Sequence, residues 1–245
     1  MPAGPALQPH RDPGIRTFTV RLAAALLALL LGACASTPEA EFVGATGDWQ
    51  PVALPGKLRT HYSHARKDGR DALAARSERS ASMLRKRVQI APRQLGSVSF
   101  SWWVDDLIAD ASVADVDRED APARVMFGFG GDVTQLSART RMMFDLAEAL
   151  TGEQPPYATL MYVWDARVPV GTVIISKRSD RIRKIVVDSG PLNLRRWRDH
   201  HRDLRADFRL AFGEEPGPLQ SIAVMTDSDN TSSRAHAWYG AVTVH

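Results

Sequence analysis

Cys34 is the only cysteine in the 245-residue chain. A fold built around it has no intramolecular disulfide, so it must be held by its own hydrophobic core. The position of that cysteine matters as much as its solitude. It stands directly after an apolar run at residues 22–31, which Arg11, Arg16 and Arg21 precede. The run is roughly ten residues, about half of what a membrane-spanning helix needs.

Leu31-Gly32-Ala33-Cys34 closes the run. An aliphatic residue, two small ones that let a peptidase reach the backbone, and a thiol able to take diacylglycerol make up a lipobox at the end of an export signal. Residues 1–33 are therefore expected to be a lipoprotein signal peptide, 34–47 a lipidated tether, and 48–245 a single domain. The tether is small, polar and contains proline, the composition of a flexible linker. Lipid on Cys34 would make the membrane a partner. Ala35 follows the cysteine. With no aspartate there, the sorting rule of enteric bacteria favours the outer membrane, facing the periplasm. The formal net charge of +3 includes the three leader arginines and Asp12, so the remainder is near neutral. A near-neutral chain across a membrane from the nucleoid excludes nucleic acid as a partner.

From residue 48 the pattern is mostly strand. Strands are expected near 49–54, 58–66, 71–77, 82–90, 96–105, 123–130, 157–164, 170–176, 181–188, 219–226 and 235–244. The strands at 100–104 and 157–164 carry apolar residues on both faces, which suits the middle of a sandwich whose outer face is covered. Two segments depart from this. Residues 137–150 place Met143, Phe144, Ala147 and Leu150 at helical spacing, with Gly152 past the end. Residues 194–212 place Trp197, His201, Leu204, Phe208 and Phe212 likewise, closed by Gly213. The expected fold class is mainly β, a jelly-roll-type β-sandwich with two inserted α-helices.

Two acidic segments can carry chemistry. Asp227, Asp229 and Asn230 sit within four residues after an apolar strand, and offer hard oxygen ligands suited to Ca2+ or to sugar hydroxyls, with Trp238 or Tyr239 as an aromatic contact. A tight hairpin loop selects the same residue types, because their side chains bond neighbouring backbone. The connection 105–120 holds seven carboxylates, among them Asp105, Asp106 and Asp120, against one arginine. A divalent cation would relieve their repulsion, and a solvated loop is the plainer account. Trp102, Trp103 and Trp164 read as core. His61 and His64 point to opposite strand faces, and His200 and His201 diverge on the expected helix with His201 on its packing stripe, so no histidine metal site is expected. There is no Gly-x-Ser-x-Gly elbow and no Ser-x-x-Lys. Phe127-Gly128-Phe129-Gly130-Gly131 lacks phosphate-loop spacing and reads as a strand end or bulge.

Several motifs, taken in order, resemble a known family. They are DALAARSERSAS at 71–82, FSWWV at 100–104, DAPARV at 120–125, YATLMYVW at 157–164, MTDSDNT at 225–231 and AWYG at 237–240. They resemble a family of uncharacterised bacterial envelope proteins, the domain of unknown function three-zero-four-seven, over roughly residues 48–244. The resemblance brings no catalytic residues with it. The strand order and closing AWYG strand are also similar to galactose-binding-like β-sandwiches. The leading expectation is thus a non-catalytic, membrane-anchored domain that binds a glycan or another envelope component. The alternatives are a metal-assisted hydrolase using Asp105, Asp106, Asp120, Asp227 or Asp229, and a structural envelope protein with a protein partner.

Overall fold

In a computed structural model, residues 48–245 are described, together with the isolated positions Met1 and Gly4. Apart from those two positions, the expected signal peptide, Cys34 and the tether lie outside the described residues. The strands are β1 (Trp49–Ala53), β2 (His61–Lys67), β3 (Arg70–Glu78), β4 (Ala81–Ile90), β5 (Ser97–Val104), β6 (Ala121–Phe129), β7 (Ala158–Asp165), β8 (Val173–Ile175), β9 (Ile182–Ser189), β10 (Arg198–Asp203), β11 (Leu219–Asp227), β12 (Arg234–Tyr239) and β13 (Thr243–Val244). The helices are α1 (Ala138–Thr151) and α2 (Leu204–Phe212).

One sheet has seven strands in the order β1-β4-β11-β6-β7-β9-β8, antiparallel except for the parallel pair β7–β9. The other has the order β10-β5-β12-β3-β2, with β13 also pairing with β5. The protein is a mostly-β, jelly-roll-like sandwich with two helices. Alternate residues of each strand face opposite ways, and this sorts the apolar side chains into two clusters. Phe100, Trp102, Phe127, Phe129, Tyr162 and Trp164 fill the space between the sheets. The other face of the seven-stranded sheet carries Met126, Met161, Val163, Val186 and Met225, packed under Val113 and Val168 from neighbouring connections. Trp102, Trp103 and Trp164 are buried, as the sequence suggests.

The glycine-rich end of β6 is a place of close approach. A Cβ at Gly217 would lie 1.9 Å from the Gly130 carbonyl oxygen. Opposite Gly128 and Phe129 the register of β11 shifts between Leu219 and Ser221, a bulge of the kind the sequence predicts there.

The expected helix over 194–212 is corrected: only Leu204–Phe212 is helical, and the preceding residues form β10 on the edge of β5. Polar satisfaction overrides the helical spacing here. Arg198, His200 and Arg202 point inward, where Asp188 and Asp207 receive them. Asp199, His201 and Asp203 point outward, so His201 bonds Ser99 at the surface instead of packing. Asp203 then caps α2 by accepting from the Ala206 N–H at 2.8 Å. Gly213, in the left-handed conformation, ends it.

Phe127 is fully buried and meets Tyr162 edge-on with centroids 5.7 Å apart. Phe127→Ala is expected to cost about 3–5 kcal/mol, measured as a lowered urea midpoint with an unchanged slope.

Candidate functional site

β11 positions the acidic loop. Its last residue, Asp227, faces the outer side of the seven-stranded sheet beside Arg124 of β6. The guanidinium donates from Nε to Asp227 Oδ1 and from Nη2 to Asp227 Oδ2, both at 2.9 Å, and also bonds the Glu119 carbonyl. Asp120, at the end of the 105–120 connection, accepts from the Asn230 N–H at 3.1 Å, the Thr231 N–H at 2.7 Å and the Thr231 hydroxyl at 2.6 Å. Asp229 pairs with Lys57. One carboxylate oxygen from each of Asp120, Asp227 and Asp229 lies within 4.8 Å of the others.

These hard oxygens suit Ca2+ in type, but Ca2+ takes six to eight of them. Each of the three is already matched, two by cations and one by backbone donors. Lys184 is buried beside them, donating to the Val113 carbonyl at 2.7 Å and pairing with Glu119 at 2.6 Å. The end of the connection 105–120 is therefore not solvated as its composition suggests, whereas Asp106, Asp110 and Asp117 are exposed. Asp120 is buried and, with Glu119, ties the loop to the sheet.

Burial pushes the Asp227 carboxyl up to about 6, with Arg124 pulling the other way and Asp120 adding to the rise. Glu119 sits lower than an ordinary carboxylate; burial opposes that, while Lys184 and Arg124 outweigh it.

Asp105 and Asp106 do not join this group. They border a separate cavity of about 460 Å³ with Arg76, Glu78, Arg234 and His236. Trp238 and Tyr239 are neighbours on β12 and point to opposite faces. Trp238 lies on the outer face, edge-on to Trp103 at 4.9 Å and close to His236 at 3.7 Å, with the Lys67 ammonium over its ring at 4.6 Å. Tyr239 points inward, where its hydroxyl donates to the Met225 carbonyl at 2.6 Å and lies 2.8 Å from Thr226 Oγ1.

The Tyr239 ring forms part of a cleft of about 800 Å³ between the sheets, on the side of β1 and β2. Trp49, Leu73, Val224 and Val242 line it too, with His64, Arg66, Asp71 and Lys86 also in its wall. Val224 and Tyr239 are buried and form its inner end, whereas His64, Arg66 and Asp71 are exposed and form its mouth. Ala65, Ala72, Gly240 and Ala241 also line it. Lys86 pairs with Asp48 at 2.8 Å and Arg66 with Asp71 at 3.5 Å. Of these lining residues the sequence marks only Tyr239 as a candidate contact, because the cleft exists only once β1, β4 and β11 face β2, β3 and β12.

Fold and cleft together define the class: a β-sandwich with an open pocket between its sheets. The chain belongs to the family described as protein of unknown function (DUF3047), which matches residues 47–243. No curated protein matches the sequence. Among solved structures it is similar to a family 11 carbohydrate-binding module from Clostridium thermocellum in complex with a β-1,3-1,4-mixed-linked tetrasaccharide. That likeness has 9% identity, covers 82% of this chain and 89% of the other, and has a TM-score of 0.40. It is similar also to the xyloglucanase domain of NopAA from Sinorhizobium fredii, with 8% identity, 82% and 96% coverage and a TM-score of 0.44. A third is a cellulase derived from the Cel12A cellulase of Rhodothermus marinus, with 12% identity, 81% and 93% coverage and a TM-score of 0.42.

The Arg124–Asp227 pair makes a pH prediction. A carboxyl whose folded pKa is raised binds its proton more tightly in the folded state, so its contribution to stability falls as pH rises from about 4 to about 6. Arg124→Met leaves that carboxylate buried without its cation, at an expected cost of about 3–5 kcal/mol at pH 7.5. The deficit should shrink on acidification as Asp227 takes up a proton, read from urea midpoints across pH 5 to 8.

Proposed function

We propose that the protein is a lipid-anchored, non-catalytic binding domain of the bacterial envelope, and that its ligand, a glycan or another envelope component, enters the cleft between the sheets. The observation that carries this reading is the cleft itself. Its volume of about 800 Å³ falls within the range of small-molecule sites, roughly 300–1,000 Å³, which are mostly apolar with a few polar groups that fix orientation. Trp49 offers an indole face at the edge strand. His64, Arg66, Asp71 and Lys86 supply donors and acceptors at the mouth for hydroxyl or charged groups. Trp238 is less suited to stack on a sugar, because Trp103, His236 and Lys67 already occupy its surroundings.

Anchoring through Cys34, on the periplasmic side of the outer membrane, places the domain next to such ligands. Cys34→Ser is expected to abolish incorporation of labelled palmitate and to release the chain from the membrane fraction. Trp49→Ala is expected to weaken binding of envelope oligosaccharides or glycolipids by at least about tenfold in isothermal calorimetry, with little change in melting temperature. Unchanged affinity would move the site away from the cleft.

The proximity of Asp120, Asp227 and Asp229 favours one second reading, metal-assisted hydrolysis. A cation there would have to displace Arg124 and Lys57. Calcium, magnesium, manganese or zinc is therefore expected to leave the melting temperature unchanged. A rise of about 2–4 °C with any of them, absent in Asp120→Ala, would restore the hydrolase reading.

A further inference from the structure

We infer that the part of the ligand that enters the cleft is an acyl chain, with an anionic headgroup held at the mouth. This rests on the cleft being the binding site and names the chemistry it selects. The wall changes character with depth. Val224 and Tyr239 at the inner end are buried, Leu73, Val242 and Trp49 are partly buried, and all present hydrocarbon or aromatic surface. The Tyr239 hydroxyl is committed to Met225 and Thr226, which leaves its ring as the surface offered to a ligand. Sugar hydroxyls drawn to that depth would give up water without gaining partners, which is unfavourable. A hydrocarbon chain loses nothing there and gains from leaving water.

The mouth is different. Lys86 and Arg66 are held in ion pairs with Asp48 and Asp71, and three of those four side chains are more than half exposed. Exposed pairs of this kind are weak, so a phosphate or carboxylate can take over either cation. Apolar depth with exchangeable cations at the rim is the complement of an anionic lipid, and a glycolipid satisfies both this and the proposed function.

The test uses the full chain in a steroid detergent, which has no acyl chain. The probes are free fatty acids from octanoate to palmitate, displacing a brominated fatty acid whose bromine quenches Trp49 emission. Each added methylene is expected to tighten binding about fourfold until the cleft is full. Val242→Trp, which fills the cleft, and Lys86→Glu, which reverses charge at its mouth, should each weaken binding by at least about tenfold. Trp49→Phe should remove the quenching. Lys86 is partly exposed and pairs with the exposed Asp48, so Lys86→Glu remains informative even where Val242→Trp fails to fold. Affinity independent of chain length, or unaltered in Lys86→Glu, overturns the inference. Binding of an envelope oligosaccharide stripped of acyl chains, equal to that of its acylated form and lost in Trp49→Ala, overturns it while leaving the cleft as a glycan site. Failure of both fatty acids and oligosaccharides overturns both readings.

Discussion

The buried guanidinium of Arg124 holds together what the rest of the structure needs. It joins β6 to the end of β11 through Asp227, and the 105–120 connection to both through the Glu119 carbonyl. A charge that deep is tolerated only when its partners are in place. Asp120 extends the same network to the loop after β11 by accepting from Asn230 and Thr231. Lys184 extends it to β9 through Glu119 and Val113. An acidic connection without disulfides is thus fastened over the outer face of the larger sheet, and Met126, Met161 and Met225 stay dry beneath it.

β11 links this network to the cleft. Asp227 and Met225 project to the outer face, while Val224 and Thr226 project between the sheets. On that inner side the Tyr239 hydroxyl bonds the Met225 carbonyl and Thr226, and the Arg124 N–H reaches the same oxygen at 3.3 Å. The strand that Arg124 anchors therefore also fixes the orientation of the Tyr239 ring. A change in the ionic network would be felt in the cleft through the register of β11 and through the Arg124 N–H on the Tyr239 hydroxyl.

Much of the fold was legible because hydrophobic periodicity and burial agree. The doubly apolar strand at 157–164 does lie in a sheet covered on both faces, while the strand at 100–104 lies in the other sheet. The helix with its glycine stop at 152 is present, with Phe144 buried but Met143 and Leu150 exposed. The segment at 194–203 was misread for a physical reason. Trp197, His201 and Leu204 match a helical period, but the deciding edge of β5 lies far away in sequence, and the role of the nearby Asp188 shows only once β9 and β10 are placed. Composition also misled at the end of 105–120, since seven acids within sixteen residues look solvated until Lys184 and Arg178 are seen against Glu119. The site was the least legible part. Asp120, Asp227 and Asp229 could be singled out by type and do converge, yet Asp227 and Asp229 are held by cations and Asp120 by donors of the loop after β11. Trp49, Lys86 and Val242 belong to no motif, Leu73 lies in one without being marked as a contact, and the four meet only through long-range strand pairing.

That contrast bears on where function resides in a sandwich of this kind. Aromatic residues are a poor guide, because the core consumes most of them. Trp102, Trp103 and Trp164 are buried, Trp102 donates to Asp188, and Trp238 is hemmed by Trp103 and Lys67. Charged residues are an equally poor guide, because the buried ones are committed to holding loops down. What the packing leaves over is a space lined by Trp49, Leu73, Val224 and Val242, and by Tyr239, whose hydroxyl is satisfied elsewhere. A close-packed interior does not leave such a volume between its sheets without cost. On the proposed function, the contacts missing from this cleft are the ones its ligand supplies.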